Sequence, residues 1–155
     1  MKKIINGKTY NTDTAKKITV KEYGESTNEL FYSERTLYQK KDGEYFIHSW
    51  GGAGTIYATA KENGWTGSGE IIEPVTANEA EEFMSVYIIM DYKEGDLFTS
   101  EFEKLDEAIF EAECQWNYLT EKERDARDEF FILKSTNPDV DAENHLDGDI
   151  VRRWK

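Results

Sequence analysis

The chain has 155 residues, of which 38% are hydrophobic and 14% aromatic, and its formal net charge is −13. Because each large aromatic ring buries much surface, this composition supports a folded core and excludes a wholly disordered chain. The pI near 4.6 argues against direct binding to nucleic acid or to an anionic membrane, since both would repel the protein.

The first half of the chain is predicted to be mostly β-strand. Strands are expected, from β-branched and aromatic content, at residues 3–5, 30–39, 44–50, 55–59 and 70–73. Asp42-Gly43 is a favoured hairpin turn between two of them. A short helix is expected at residues 12–17. Thr76 and Glu79 have the spacing of a capping box, which predicts the start of another helix.

The second half is predicted to fold as β-β-α-β. Strands are expected at residues 86–91, 97–102 and 130–133, with a short last element at 150–154. The helix at 105–119 is the clearest element, because its apolar residues recur at helical spacing: Leu105, Ala108, Ile109, Ala112, Trp116 and Leu119. We therefore predict an α+β protein of two small modules. Residues 1–84 form a mostly antiparallel β module with short helices, and residues 85–155 form an acidic β-β-α-β module.

The negative charge is concentrated in the second module. Residues 1–84 hold 10 Lys or Arg and 13 Asp or Glu, whereas residues 85–155 hold 9 and 19. The net charges are thus about −3 and −10. Self-repulsion of this kind opposes compact folding, so it calls for a reason. Solvation of the surface is one reason, and binding to a basic groove that normally holds nucleic acid is another.

The helix at 105–119 carries the strongest candidate binding surface. Its acidic residues are predicted on the side opposite the apolar residues, about 3 Å of helix axis per carboxylate. One strand of B-DNA has a charge about every 3.4 Å. A plainly solvated helix face is the competing interpretation. The candidate partner-binding residues are Glu103, Asp106, Glu107, Phe110, Glu111 and Glu113, with Asp139, Asp141, Glu143, Asp147 and Asp149 of the tail as a second patch.

Signals for catalysis are weak. His48 and His145 have no ligand-spaced partner, and Cys114 has no local nucleophile signature. The glycines at 51–54 lack the pattern of a phosphate-binding loop and favour a tight turn at a sheet edge. No catalytic residue, metal or other cofactor is predicted. The alternative is a Mg²⁺-dependent nuclease that uses a set of carboxylates, namely Asp91, Glu94 and Asp96.

The N-terminal module resembles a module found in small proteins of Firmicutes phages, plasmids and conjugative elements. The likeness covers about residues 2–83 and departs from the usual pattern at Asn11, where Asp is more common. It rests on the opening segment 3–15, Glu34 before Leu37-Tyr38, Gly51-Gly52 followed by Tyr57, and Ile72-Glu73-Pro74. Residues 86–155 resemble a second module of the same elements and end in Asp147-Gly148-Asp149-Ile150-Val151.

Some proteins with the first module are anti-CRISPR proteins that inhibit type II RNA-guided nucleases. The resemblance implies a non-enzymatic inhibitor that acts in the bacterial cytoplasm on a type II effector nuclease. Such effectors hold guide and target in positively charged channels, which an acidic surface would occupy. Guide RNA loading or DNA binding would then be blocked. A regulatory or adaptor protein of the mobile element, without a role in defence, is a further alternative.

Overall fold

The computed structural model describes residues 1–62, 64–93, 96–136 and 148–154, with the side chains of residues 96 and 97 excepted. It confirms a small α+β protein built from antiparallel sheets and few helices. Contacts divide the chain into two compact units, Met1–Phe83 and Met84–Lys155, one residue from the boundary predicted above. No helix in the described part of the chain is long and apolar enough to cross a membrane.

The N-terminal unit contains a four-stranded antiparallel sheet of order β3-β4-β5-β8, and two separate hairpins, β1-β2 and β6-β7. Helix α1 follows the last strand of this unit. The bounds are β1 Lys2–Ile5, β2 Lys8–Asn11, β3 Lys16–Tyr23, β4 Ser33–Gln39, β5 Tyr45–Gly51, β6 Thr59–Ala60, β7 Thr66–Gly67, β8 Gly69–Val75 and α1 Ala77–Met84.

The β1-β2 hairpin is held on the four-stranded sheet by aromatic packing. Phe46 of β5 is fully buried between Tyr38, whose ring stacks on it at 5.2 Å, and Tyr10 of the hairpin, whose ring meets it edge-on at 5.5 Å. Ile72 is buried in the same cluster, and Ile5 packs against it. Since an isolated two-stranded hairpin is at best marginally stable, this packing is what fixes β1 and β2.

Two predicted elements of this unit are wrong, and several strands, among them β2, β3 and β7, were not predicted. Residues 12–15 form a turn that leads into β3, in place of the helix expected at 12–17. Residues 55–58 form a turn where a strand was expected, as Ala58 N–H donates to the Thr55 carbonyl. Strands β2 and β3 were missed because their lysines and threonines show little hydrophobic alternation. Register with neighbouring strands, not composition, makes them strands.

The predicted capping box of α1 is confirmed. The Glu79 carboxylate accepts hydrogen bonds from the Thr76 backbone N–H at 2.7 Å and from its hydroxyl at 2.8 Å. The Thr76 hydroxyl in turn accepts from the Glu79 backbone N–H at 3.2 Å. These bonds satisfy donors that would otherwise be orphaned at the start of the helix.

The C-terminal unit is a four-stranded antiparallel sheet of order β10-β9-β11-β12, with one long helix packed on it. The predicted order β-β-α-β is correct for the first two strands, the long helix and the strand that follows. The structure also contains the short helix α3, which the capping signal at residues 120–123 favours, and the last element is a strand. The bounds are β9 Val86–Lys93, β10 Asp96–Phe102, α2 Leu105–Tyr118, α3 Glu121–Asp125, β11 Arg127–Ser135 and β12 Asp149–Trp154.

Helix α2 and the sheet share one hydrophobic core. The apolar side of the helix packs on Tyr87 and Ile89 of β9 and on Phe130 and Ile132 of β11. Ala108 and Ala112 are fully buried there, and small residues at these positions let the helix approach the sheet closely. The next residues along the same strands lie on the opposite face, and they too are buried: Ile88, Met90, Phe131 and Leu133.

Candidate functional site

The solvent-facing side of α2 carries a line of exposed apolar side chains with acidic residues around it. Phe110, Cys114 and Tyr118 follow one another at intervals of four residues, which places them on one face of the helix over about 12 Å. The Phe110 side chain is 68% exposed and that of Tyr118 is 93% exposed. We call these three residues the α2 ridge. Two large aromatic side chains presented to solvent on one helix face are typical of an interaction surface.

The carboxylates predicted for this helix border the ridge but do not form one continuous row. Asp106 and Glu107 are exposed in its first turn, and Glu103 is exposed in the bend just before it. Glu111 and Glu113 are only half-exposed. Being two residues apart, they differ by about 200° around the axis and so lie on opposite flanks of the helix. The five carboxylates therefore lie on both sides of the ridge, away from the core, and whether they bind a partner stays a prediction.

Positive side chains also neutralise part of this charge. Lys104 Nζ lies 2.7 Å from Glu107 Oε1, and this contact raises the pKa of Lys104. Arg152 Nη2, on β12, lies 2.7 Å from Glu113 Oε1. Glu111 accepts a hydrogen bond from the Gln115 amide at 3.0 Å. The surface offered by α2 is thus a mixed one, in which exposed aromatic rings stand among carboxylates that are partly paired.

The remaining candidate residues belong to the tail. Asp149, the first residue of β12, is exposed. Four others lie outside the described residues: Asp139, Asp141, Glu143 and Asp147. Whether the tail supplies a second acidic patch therefore stays a prediction.

Two of the carboxylates that the nuclease alternative assigns to Mg²⁺ lie in β9 and β10. Asp91 is largely buried, and its Oδ1 lies 2.9 Å from Arg127 Nε, so its charge is already paired. Asp96 begins β10 opposite Lys93 of β9, and Glu94 lies outside the described residues. Where the structure describes the chain, no three His, Cys, Asp or Glu residues are grouped so that they could hold a metal ion. Nothing in this geometry favours the nuclease interpretation.

No protein-family model, curated protein or solved structure matches this chain. The resemblance to mobile-element proteins accordingly stays an expectation drawn from the residues quoted above.

A second acidic cluster, in the N-terminal unit, escaped the sequence analysis. Strand register aligns Glu22, Glu34, Trp50 and Glu70 side by side across β3, β4, β5 and β8. Residues directly opposite each other in a sheet share a face, so Glu34 and Glu70 flank Trp50 there, and Glu22 lies beside Glu34. No local sequence pattern reveals this cluster, because its four residues are dispersed over 49 positions of the chain. Strand register alone brings them together.

The carboxylates of this cluster raise the pKa of the neighbouring Tyr32. Its hydroxyl donates a 2.7 Å hydrogen bond to Glu22 Oε1, and its ring contacts that of Trp50 with centroids 5.9 Å apart. The hydrogen bond to Glu22, burial, and the charges of Glu22 and Glu34 together raise the pKa of Tyr32 from 10.0 to about 12.

We expect Tyr32 to make stability fall at high pH. The folded protein holds this proton more tightly than the unfolded chain does, so the contribution is fully present below pH 10 and is lost as the pH rises towards about 12. Denaturant unfolding of the parent and of Tyr32→Phe across that window measures it. The parent should lose stability more steeply than the variant, and equal slopes would contradict the assignment.

Proposed function

We propose that this chain is a non-enzymatic inhibitor from a mobile genetic element, which binds a basic nucleic-acid channel of a type II CRISPR effector nuclease. The bound inhibitor blocks guide RNA loading or DNA binding. The observation that carries the proposal is the α2 ridge, whose exposed Phe110 and Tyr118 stand among carboxylates on a unit with a net charge of about −10. The resemblance of residues 2–83 to proteins that include anti-CRISPR proteins supports the same class of target.

The composition of the ridge assigns separate roles to its aromatic and acidic residues. Aromatic side chains that enter a partner's pocket supply most of the affinity at an interface and mainly slow dissociation. Charges at the rim mainly speed association and make it dependent on salt. Since Glu107 and Glu113 are already ion-paired within the protein, charge alone is a weaker source of affinity here than a row of free carboxylates would be. The proposed contact is therefore aromatic at its centre and acidic at its border.

The functional test is truncation of the ridge. Phe110→Ala with Tyr118→Ala should weaken binding to the effector by about 30-fold or more, which is about 2 kcal/mol, through faster dissociation. Inhibition of DNA cleavage should be lost in parallel. Both side chains are exposed, so folding should be unchanged. Surface plasmon resonance with effector, with and without guide RNA, measures the rates and identifies the blocked step.

Two further variants sharpen this experiment. Ile150→Ala with Val151→Ala removes exposed apolar side chains from β12 instead, and should leave binding unchanged. Glu107→Lys with Glu111→Lys should mainly lower the association rate and flatten its salt dependence. Full inhibition by the Phe110 and Tyr118 variant would show that α2 is not the contact. Failure of the parent protein to bind any type II effector would favour the adaptor alternative.

A further inference from the structure

We propose that the N-terminal unit carries a separate docking surface, which binds a basic, amphipathic polypeptide segment of a partner protein. The surface consists of exposed apolar side chains on two loops, Leu30, Phe31 and Ile56, and of the adjoining row Glu22, Glu34, Trp50 and Glu70. We call it the N-terminal surface. It is distinct from the α2 ridge and does not depend on the proposed inhibition of a nuclease.

The apolar part of this surface is unusually exposed for its size. Leu30 is 57% exposed, Phe31 71% and Ile56 92%. Single exposed apolar residues are ordinary on protein surfaces, but these lie on two loops that contact each other. Exposed clusters of this kind mark sites of interaction.

Backbone hydrogen bonds hold the two loops together. Gly52 N–H donates to the Tyr32 carbonyl at 2.9 Å, and Gly54 N–H donates to the Leu30 carbonyl at 2.8 Å. A Cβ on Gly52 would come within 2.6 Å of the Leu30 carbonyl oxygen, which explains why glycine is needed there. The predicted tight turn is thus present, although it follows β5, an interior strand of the sheet. In addition it presents Leu30 and Phe31 in a fixed position, so little ordering entropy would be lost on binding.

The acidic part of the surface adjoins the apolar part through Tyr32. This buried residue follows Phe31 in sequence and contacts both Trp50 and Glu22. Glu34 and Glu70 stand on the strands on either side of Trp50, at the spacing of neighbouring strands, about 4.8 Å. An aromatic ring between two carboxylates is suited to a guanidinium or ammonium group, through cation–π and ionic contacts together.

Side chains of like charge lie opposite each other on both faces of this sheet. The two faces differ in what offsets the repulsion between those charges. Glu22 lies directly opposite Glu34 on one face, and Lys21 lies directly opposite Arg35 on the other. Such pairs are destabilising unless something offsets them. On the basic face the Phe83 ring lies 5.5 Å from Lys21 Nζ and 5.2 Å from the Arg35 guanidinium carbon. On the acidic face a cationic ligand would offset the repulsion.

Among the residues that the structure describes, no lysine or arginine forms an ion pair with Glu22, Glu34 or Glu70. The next described row on the same face consists of Val20, Thr36, His48 and Ile72. Of these, Thr36 donates its hydroxyl to Glu34 Oε1 at 2.8 Å, and His48 Nε2 lies 2.8 Å from Glu70 Oε2. Nucleic acid and a second copy of this chain would both bring negative charge to the row and be repelled. A basic segment with apolar side chains matches both parts of the surface.

The test uses the full-length protein and, as a probe, a short synthetic peptide of alternating arginine and leucine. Binding is mapped by chemical-shift changes of backbone amides and tryptophan indoles. We expect the largest shifts at Leu30, Phe31, Ile56 and the Trp50 indole. A peptide in which serine replaces leucine should bind at least about tenfold more weakly, because it lacks the apolar contacts.

Matched variants separate this site from general attraction to an acidic protein. Glu34→Gln with Glu70→Gln should weaken binding at least about tenfold, as should Phe31→Ser. Glu62→Gln with Asp125→Asn makes the same change in net charge elsewhere and should bind as the parent does. Shifts spread over the acidic residues of both units, equal weakening by the two charge variants, or no binding of the arginine–leucine peptide would each overturn the proposal.

Discussion

Replacing Phe130 by alanine is expected to lower the free energy of unfolding by about 3–5 kcal/mol. Phe130 of β11 is 1% exposed and lies between two tryptophan rings, 5.3 Å from Trp116 of α2 and 5.4 Å from Trp154 of β12. Its removal would leave a cavity at a point where the helix and the last strand pack on the same side chain. Domains are stable by only about 5–15 kcal/mol, so the loss is a large share of the total.

Denaturant unfolding followed by tryptophan fluorescence measures this loss. The matched control is Phe98→Ala on β10, whose side chain is mostly exposed and should change stability by no more than about 0.5 kcal/mol. Should Phe130→Ala fail to fold, Phe130→Leu keeps most of the volume and should show a smaller loss of the same kind. If Phe130→Leu and Phe98→Ala leave stability equally unchanged, Phe130 is not central to this core.

The core of the C-terminal unit could be predicted from sequence because α2 depends on local spacing. Of the six apolar residues predicted on one helix face, five belong to the core built on β9 and β11: Leu105, Ala108, Ile109, Ala112 and Trp116. The sixth, Leu119, follows the last residue of the helix. Helical periodicity alone determines which residues share a face, and nothing distant alters it. The predicted helix differs from α2 by a single residue at its end.

Which carboxylates of this helix and of the adjoining sheet form ion pairs could not be predicted in this way. Glu113 is paired with Arg152, which follows it by 39 positions, and Asp91 is paired with Arg127 across the sheet. Such contacts depend on how β12 and β11 are placed, and spacing along one helix carries no information about that. Counting carboxylates on a helix thus overstated the free negative charge near the α2 ridge.

Register explains why the N-terminal surface was missed. Glu22 and Glu34 face each other only because β3 has an irregularity between Lys17 and Thr19 that shifts its pairing with β4. Without that shift Lys21 would lie opposite Glu34 instead. No local pattern in residues 16–23 reveals the bulge, so the row of three carboxylates becomes visible only in the folded sheet.

Replacing Phe46 by alanine should destabilise the N-terminal unit by about 3–5 kcal/mol and release the β1-β2 hairpin. Phe46 is fully buried, and it joins the four-stranded sheet to Tyr10, the one buried side chain of β2. The hairpin otherwise depends on its own cross-strand pairing, from Lys2 opposite Asn11 to Ile5 opposite Lys8. Two strands alone are marginally stable, so their backbone amides should open once the contact is lost.

Hydrogen exchange separates this specific effect from general destabilisation. In Phe46→Ala, the amides of β1 and β2 should exchange faster by a larger factor than those of β4 and β5, since the latter keep partners on both sides. Ile4→Ala is the matched control in the hairpin, because the Ile4 side chain is mostly exposed and makes no part of the buried cluster. Equal acceleration in all four strands would mean that Phe46 supports the whole unit uniformly. Protection of the hairpin as in the parent would mean that cross-strand pairing alone suffices to hold it, contrary to the packing argument.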